Sequence, residues 1–118
     1  MKSELEQFVD AYIEAALWSS YDDNDDPLDD NYDRDSIELE TLNKMERDCK
    51  IFFDVNYEDI KSNISLAGHD FWLTRNGHGC GFWDGDWPEE IGDRLTEAAE
   101  QFSTYDLWVS DGTICGGW

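Results

Sequence analysis

Gly68 to Asp84 reads GHDFWLTRNGHGCGFWD, and how this stretch is read decides the fold. Two aromatic-rich runs, HDFWLTR and CGFWD, flank Asn76-Gly77-His78-Gly79. An Asn-Gly pair between apolar runs is a strong hairpin signal, because Gly tolerates the positive φ that tight strand connections require. The stretch is therefore expected to be two antiparallel strands. With a side-chain period of two, Phe71, Leu73 and Phe82 then fall on one face, and Trp72 and Trp83 share the other, where Trp108 is a candidate to join them. Either the N-terminal helices cover that second face or it is an aromatic contact patch of the kind enriched at interface hot spots.

Working outward toward the C-terminus, Trp87-Pro88 opens a helix, since Pro suits a first turn. Ile91, Leu95, Ala98, Ala99 and Phe102 give that helix one apolar face. Tyr105 to Val109 reads as a strand, Asp111-Gly112 as a turn, and Thr113 to Cys115 as a short final strand. Toward the N-terminus, Ser3 and Glu6 form a capping box. Leu5, Phe8, Val9, Tyr12, Ile13, Ala16 and Leu17 then repeat at helical spacing to about Ser20. Tyr21 to Asp35, YDDNDDPLDDNYDRD, has eight Asp against one Arg and reads as a loop. Leu42, Met45, Cys49, Phe52 and Phe53 mark a helix over about Ser36 to Val55, and Tyr57, Ile60 and Ile64 suggest a short third one. The expected class is α+β. Within one domain spanning 1–118, residues 1–66 are mainly helical and residues 67–118 form a hairpin, a helix and a second short hairpin.

The 118 residues carry 29 acidic and 8 basic side chains, a net charge of −21. A field of that sign repels phosphates and anionic membranes and attracts cationic surfaces, so direct nucleic-acid and membrane binding are not expected. With 40% hydrophobic residues and six Trp, the chain still has enough apolar material to fold. No apolar run approaches the roughly 20 residues that span a bilayer, and Met1-Lys2-Ser3-Glu4 lacks an apolar leader, so the expected location is the cytoplasm. Cys49, Cys80 and Cys115 form no C-x-x-C pair and read as small hydrophobes in a reducing compartment.

The strings ALWSS (Ala16 to Ser20), LDDNY (Leu28 to Tyr32), GHDFWLTRNGHGCGFWD and GDRLTEAAEQF (Gly92 to Phe102) together resemble a family of small, functionally uncharacterised proteins of phages, prophages and mobile elements. The resemblance implies a phage-type setting, in which small acidic proteins inhibit host defence or nucleic-acid enzymes. It brings no catalytic residues with it. In that family the chain usually ends soon after a DG turn and a short strand, a pattern from which Ile114 to Trp118 departs.

The candidate partner-binding residues follow from charge. A DNA mimic sets carboxylates where a basic groove expects phosphates, and B-DNA offers one negative charge per about 1.7 Å of axis. Asp22, Asp23, Asp25, Asp26, Asp29, Asp30, Asp33 and Asp35, continued by Glu38 and Glu40, supply a dense track, with Trp72 and Trp83 as apolar anchors. The expected partner is a basic nucleic-acid-binding protein or complex, met by a monomer or homodimer. The alternative is that the chain is itself a non-enzymatic phage structural or assembly protein that binds another viral protein through the aromatic sheet face, with acidity serving solubility alone.

Other chemistries fit poorly. Asp22-x-Asn24-x-Asp26 matches the opening of an EF-hand loop, but Pro27 stands where Gly is needed and Asp33 where a bidentate Glu is needed. His69, Asp70, His78 and Cys80 resemble a metal set, yet on a hairpin His69 lies about 20 Å from Cys80. No G-x-S-x-G elbow, paired Cys and His or phosphate-binding Gly loop is present. Neither an enzyme nor a cofactor is expected.

Overall fold

A computed structural model describes residues 2–78, 81–83 and 85–117 of the chain. The elements in order are α1 (Glu4–Ser19), α2 (Leu28–Asn31), a 3-10 turn (Arg34–Ser36), α3 (Leu39–Ile60), α4 (Ile64–Arg75), α5 (Glu89–Glu100), β1 (Asp106–Ser110) and β2 (Thr113–Gly117). The class is α+β, with five α-helices and one two-stranded antiparallel sheet among the described residues.

α1 starts as its sequence dictates: Ser3 Oγ accepts the Glu6 amide at 3.1 Å and Glu6 returns a bond to the Ser3 amide at 3.2 Å. The helix expected to end near Val55 runs on to Ile60, so Tyr57 and Ile60 belong to α3, while Ile64 opens α4. Asn63 Oδ1 caps α4 by accepting the Leu66 amide at 3.3 Å.

The expected hairpin over His69 to Trp83 is overturned, because its first arm is helical. Ile64, Ala67, Gly68, Phe71, Trp72 and Arg75 are all buried and follow the spacing of one helix face. Asn76-Gly77 ends that helix instead of turning a ribbon. Gly77 has φ +70°, its amide reaches the Thr74 carbonyl at 3.2 Å, and the His78 amide reaches the Leu73 carbonyl at 3.0 Å. This is the Schellman arrangement, which needs Gly at the same left-handed position that a hairpin would use. Gly68 then lets α4 lie against α1: a Cβ at that position would sit 2.2 Å from the Phe8 carbonyl oxygen.

The core gathers around these contacts. Phe71 stacks on Phe52 of α3 with ring centroids 4.2 Å apart, and Phe8, Tyr12, Phe82, Trp87 and Leu95 close around them. Arg75, at the end of α4, is buried among them. Its Nε donates to the Ser103 carbonyl and its Nη2 to the Phe102 carbonyl, each at 2.9 Å. Its Nη1 donates to Tyr12 Oη at 3.0 Å and to Asp48 Oδ2 at 2.9 Å. One side chain thus ties α1, α3, α4 and the exit of α5 together.

The C-terminal hairpin forms as expected, with the first strand shifted by one residue and the second two residues longer. Asp111 and Gly112 have φ +52° and +77°, a two-residue turn with both central residues left-handed. β2 docks on the entry of α3, where the Glu38 amide donates to the Ile114 carbonyl at 2.9 Å and the Gly116 amide to Thr41 Oγ1 at 3.0 Å. Among the described residues, no helix is long and apolar enough to cross a membrane.

Candidate functional site

The acidic segment is ordered, and the reason is local. Tyr21 and Pro27 bridge as short antiparallel neighbours, and the Leu28 amide donates to the Ser20 carbonyl at 2.8 Å. Between them Asp22 Oδ1 accepts the amides of Asn24 at 2.8 Å and Asp26 at 3.1 Å, an Asx-type closure that a short carboxylate makes readily. Leu28 and Ile37 are buried and pin the segment to the core. Between those two anchors, Asp33 Oδ1 accepts the Asp35 amide at 3.0 Å and starts the 3-10 turn.

The ten expected carboxylates therefore divide. Asp22 and Asp33 have their side chains engaged in building the segment's turns. Asp23, Asp25, Asp26, Asp29, Asp30, Asp35, Glu38 and Glu40 are exposed, and none forms an ion pair among the described residues. Glu38 does accept a bond from the Cys115 thiol at 3.2 Å, which holds the proton on sulfur and pushes that thiol up.

The basic residues are largely neutralised within the fold. Seven of the eight Lys and Arg side chains lie in ion pairs: Lys2, Arg34, Lys44, Lys50, Lys61, Arg75 and Arg94. Arg34 sits inside the acidic segment yet points away from it, toward Asp10 at 2.7 Å and Glu46 at 2.9 Å. Lys2 and Arg34 together hold the Asp10 carboxyl below its usual range. The outward acidic surface is thus barely diluted by cations.

A second acidic face went unremarked in the sequence reading. Glu89, Asp93, Glu97 and Glu100 recur at three- and four-residue intervals along α5 and are all exposed. At about 1.5 Å rise per residue they span about 16 Å of helix. The signal was present in EEIGDRLTEAAE, whose apolar face alone was used to identify the helix.

The tryptophan anchors do not behave as a pair. Trp72 is 2% exposed and its Nε1 donates to Ser19 Oγ at 2.8 Å, so it belongs to the α1–α4 packing and offers no contact surface. Trp83 is 44% exposed and Trp108 48% exposed, but only Trp108 stands on a strand. The aromatic sheet face carried by Trp72 and Trp83 does not exist, since neither residue lies in a strand.

No described group of three or more His, Cys, Asp or Glu side chains is placed to hold a metal ion. The Asp22-Asn24-Asp26 loop is closed on its own amides. His69 stacks on Trp18 at 5.5 Å, and Cys80 lies outside the described residues. The buried carboxylates have structural partners: Asp48 takes Arg75 and Lys44, and Asp70 accepts Trp87 Nε1 at 2.9 Å. Burial pushes the Tyr12 phenol and the Cys49 thiol up, which keeps both protonated at neutral pH.

No family model, no curated protein and no solved structure matches this chain.

Proposed function

We propose that this chain is an acidic, DNA-mimic-like inhibitor that occupies the basic nucleic-acid-binding site of a host defence protein, of the restriction, CRISPR or other nuclease type. The observation that carries this reading is the segment from Asp23 to Glu40. Besides the turn-forming Asp33, it presents eight exposed carboxylates without ion-pair partners among the described residues, on a backbone pinned by Leu28 and Ile37. A pre-ordered carboxylate track loses little conformational entropy on docking, whereas a disordered one has that cost to meet. The phage-type setting implied by the sequence resemblance fits the same role, and binding by occupation is stoichiometric and requires no catalytic group.

The test replaces Asp25, Asp26, Asp29 and Asp30 by Asn, leaving the turn-forming Asp22 and Asp33 intact. The variant is expected to keep its circular dichroism and to lose the ability to displace duplex DNA from the target nuclease. Displacement by the native chain is expected to weaken steeply with salt. Undiminished displacement by the four-Asn variant overturns the proposal.

A second reading has one observation in its favour, the exposed Trp108 on the outer face of the sheet. It makes the chain a phage structural or assembly protein that meets a protein partner through that aromatic residue. On this reading Trp108→Ala weakens binding more than the four Asn substitutions do, and moderate salt has little effect.

A further inference from the structure

The two edges of the sheet are treated differently by the fold. With Asp111-Gly112 as a two-residue turn, Ser110 and Thr113 form a hydrogen-bonded pair, and such pairs alternate along an antiparallel ladder. Trp108 with Cys115 and Asp106 with Gly117 are then the other inward-bonded pairs. The backbone groups of Leu107 and Val109 on β1, and of Ile114 and Gly116 on β2, point away from the ladder. The β2 side bears this out, because the Ile114 carbonyl and the Gly116 amide are the groups that bond to Glu38 and Thr41. On the β1 side, the outward N–H and C=O groups of Leu107 and Val109 have no hydrogen-bond partner among the described residues.

An open edge is normally guarded against pairing, often by charge. Here the charges at the two ends of β1 are both negative, although Lys44 and Arg47 line the cleft beneath Trp108 and Ser110. Asp106 and Asp111 are exposed at either end of β1. A cleft of about 280 Å3 beside Asp106 and Leu107 is walled by Tyr21, the residue that opens the acidic segment. Guards of this sign oppose a neutral or acidic strand far more than a basic one. They also oppose a second copy of the chain, since antiparallel pairing of β1 with itself would set the Asp106 end of each copy beside the Asp111 end of the other.

We propose that the free edge of β1 is a docking site for an extended, lysine- or arginine-rich segment of a protein partner, which adds a third strand through the backbone of Leu107 and Val109. The proposal rests on the acidic-surface reading and deepens it by specifying the form in which a basic partner is gripped. Backbone pairing supplies affinity, while the carboxylates of Asp106 and Asp111 at the two ends of the strand select for cationic side chains on the incoming strand.

The probe is a short synthetic peptide alternating Arg or Lys with Val or Thr, followed by fluorescence anisotropy at low and moderate salt. The same peptide with N-methylated backbone amides serves as its pair, having equal charge and no donors. The native chain is expected to bind the unmethylated peptide and not the methylated one. Val109→Pro removes one outward donor without touching the β1–β2 ladder, so the variant should keep its dichroism and bind about tenfold or more weakly. Equal binding of the two peptides overturns strand capture; if that binding is salt-sensitive, the acidic-surface reading survives it. No binding of the unmethylated peptide at low salt also overturns the proposal. So does a homodimer in sedimentation that Val109→Pro dissociates, which would place a second copy on the edge. The comparison of the two peptides requires only the native chain, so a folding defect in the Pro variant leaves the test intact.

Discussion

Asp48→Ala should unfold this protein far more readily than its surface acidity would lead one to expect. Asp48 and Arg75 have side chains that are 4% and 2% exposed, with Oδ2 and Nη1 2.9 Å apart. Removing one partner of such a pair leaves a charge buried without its counter-charge, which costs about 3–5 kcal/mol. The lower end applies here, because Arg75 keeps three neutral acceptors, Tyr12 Oη and the Phe102 and Ser103 carbonyls. It also keeps ring faces of Phe71, Phe102 and Tyr105 at 5.5–5.7 Å. For 118 residues the unfolding entropy is about 0.25 kcal/mol/K, so a loss of about 3 kcal/mol lowers Tm by about 12 °C. Guanidinium titrations followed by circular dichroism and tryptophan fluorescence measure the loss directly. Combining Asp48→Leu with Arg75→Met, with each single substitution as control, closes the cycle, and the double variant should be more stable than the two single losses added together. A loss below about 1 kcal/mol for Asp48→Ala, or strict additivity in the cycle, would refute the assignment of this pair as the polar centre of the core.

Three other outcomes follow from the packing. Gly68→Ala should destabilise by about 2 kcal/mol in urea titration despite its better helix propensity, because the new Cβ meets the Phe8 backbone oxygen at 2.2 Å and neither helix can yield cheaply. Gly77→Ala should cost about 1–2 kcal/mol from backbone conformation alone, since φ is +70° and nothing lies within 4 Å of the added methyl; Gly77→Asn should recover part of it, as read from Tm. Alkali should unfold the chain: Cys49 and Tyr12 ionise near pH 8.5 and 10 in the unfolded state but hold their protons when folded. Stability is therefore complete below about pH 8.5 and falls as pH rises, a slope that Tyr12→Phe should flatten above about pH 10 in guanidinium midpoints; a midpoint flat to pH 11 would contradict it.

The helix misread as a hairpin arm shows what periodicity leaves open. α1 and α5 each bury one stripe and leave the rest to water, so their 3.6-residue repeat is plain. α4 is buried on nearly all sides from Ala67 through Arg75, with polar Asp70, Thr74 and Arg75 among the buried residues, so its sequence carries neither the helical nor the strand period clearly. The tie was broken by Asn76-Gly77, yet a left-handed Gly ends a helix as readily as it turns a hairpin. The neighbouring asparagine is held by one local and one distant contact: Asn76 Nδ2 donates to the Trp72 carbonyl of the same helix, and its Oδ1 accepts the Tyr105 amide, 29 positions along the chain. A better local clue was Asn63 followed by Ile64, Ala67, Gly68, Phe71 and Trp72, a cap and a helical stripe that the aromatic alternation obscured.

For the candidate site, the order of the acidic segment was the part beyond reach of composition. A run with eight Asp reads as solvated chain by charge alone. What overrides that reading is its punctuation: Leu28 and Ile37 are apolar positions spaced nine apart, each driven into the core, and Asp22 and Asp33 sit where a short carboxylate closes a turn on the amides just ahead of it. The segment is thus stapled at two points by burial and at two by Asx bonds, and of the remaining carboxylates only Glu38 has a partner within the fold, the Cys115 thiol. Arg34, the only cation in the run, is drawn down onto Asp10 and Glu46, which removes the one positive charge that would have broken the track. Mutual repulsion among the exposed acids is tolerated because the anchors beneath them are apolar and insensitive to charge. On that arrangement a cationic partner relieves strain already present in the free protein, so added salt should stabilise the fold while it weakens the complex.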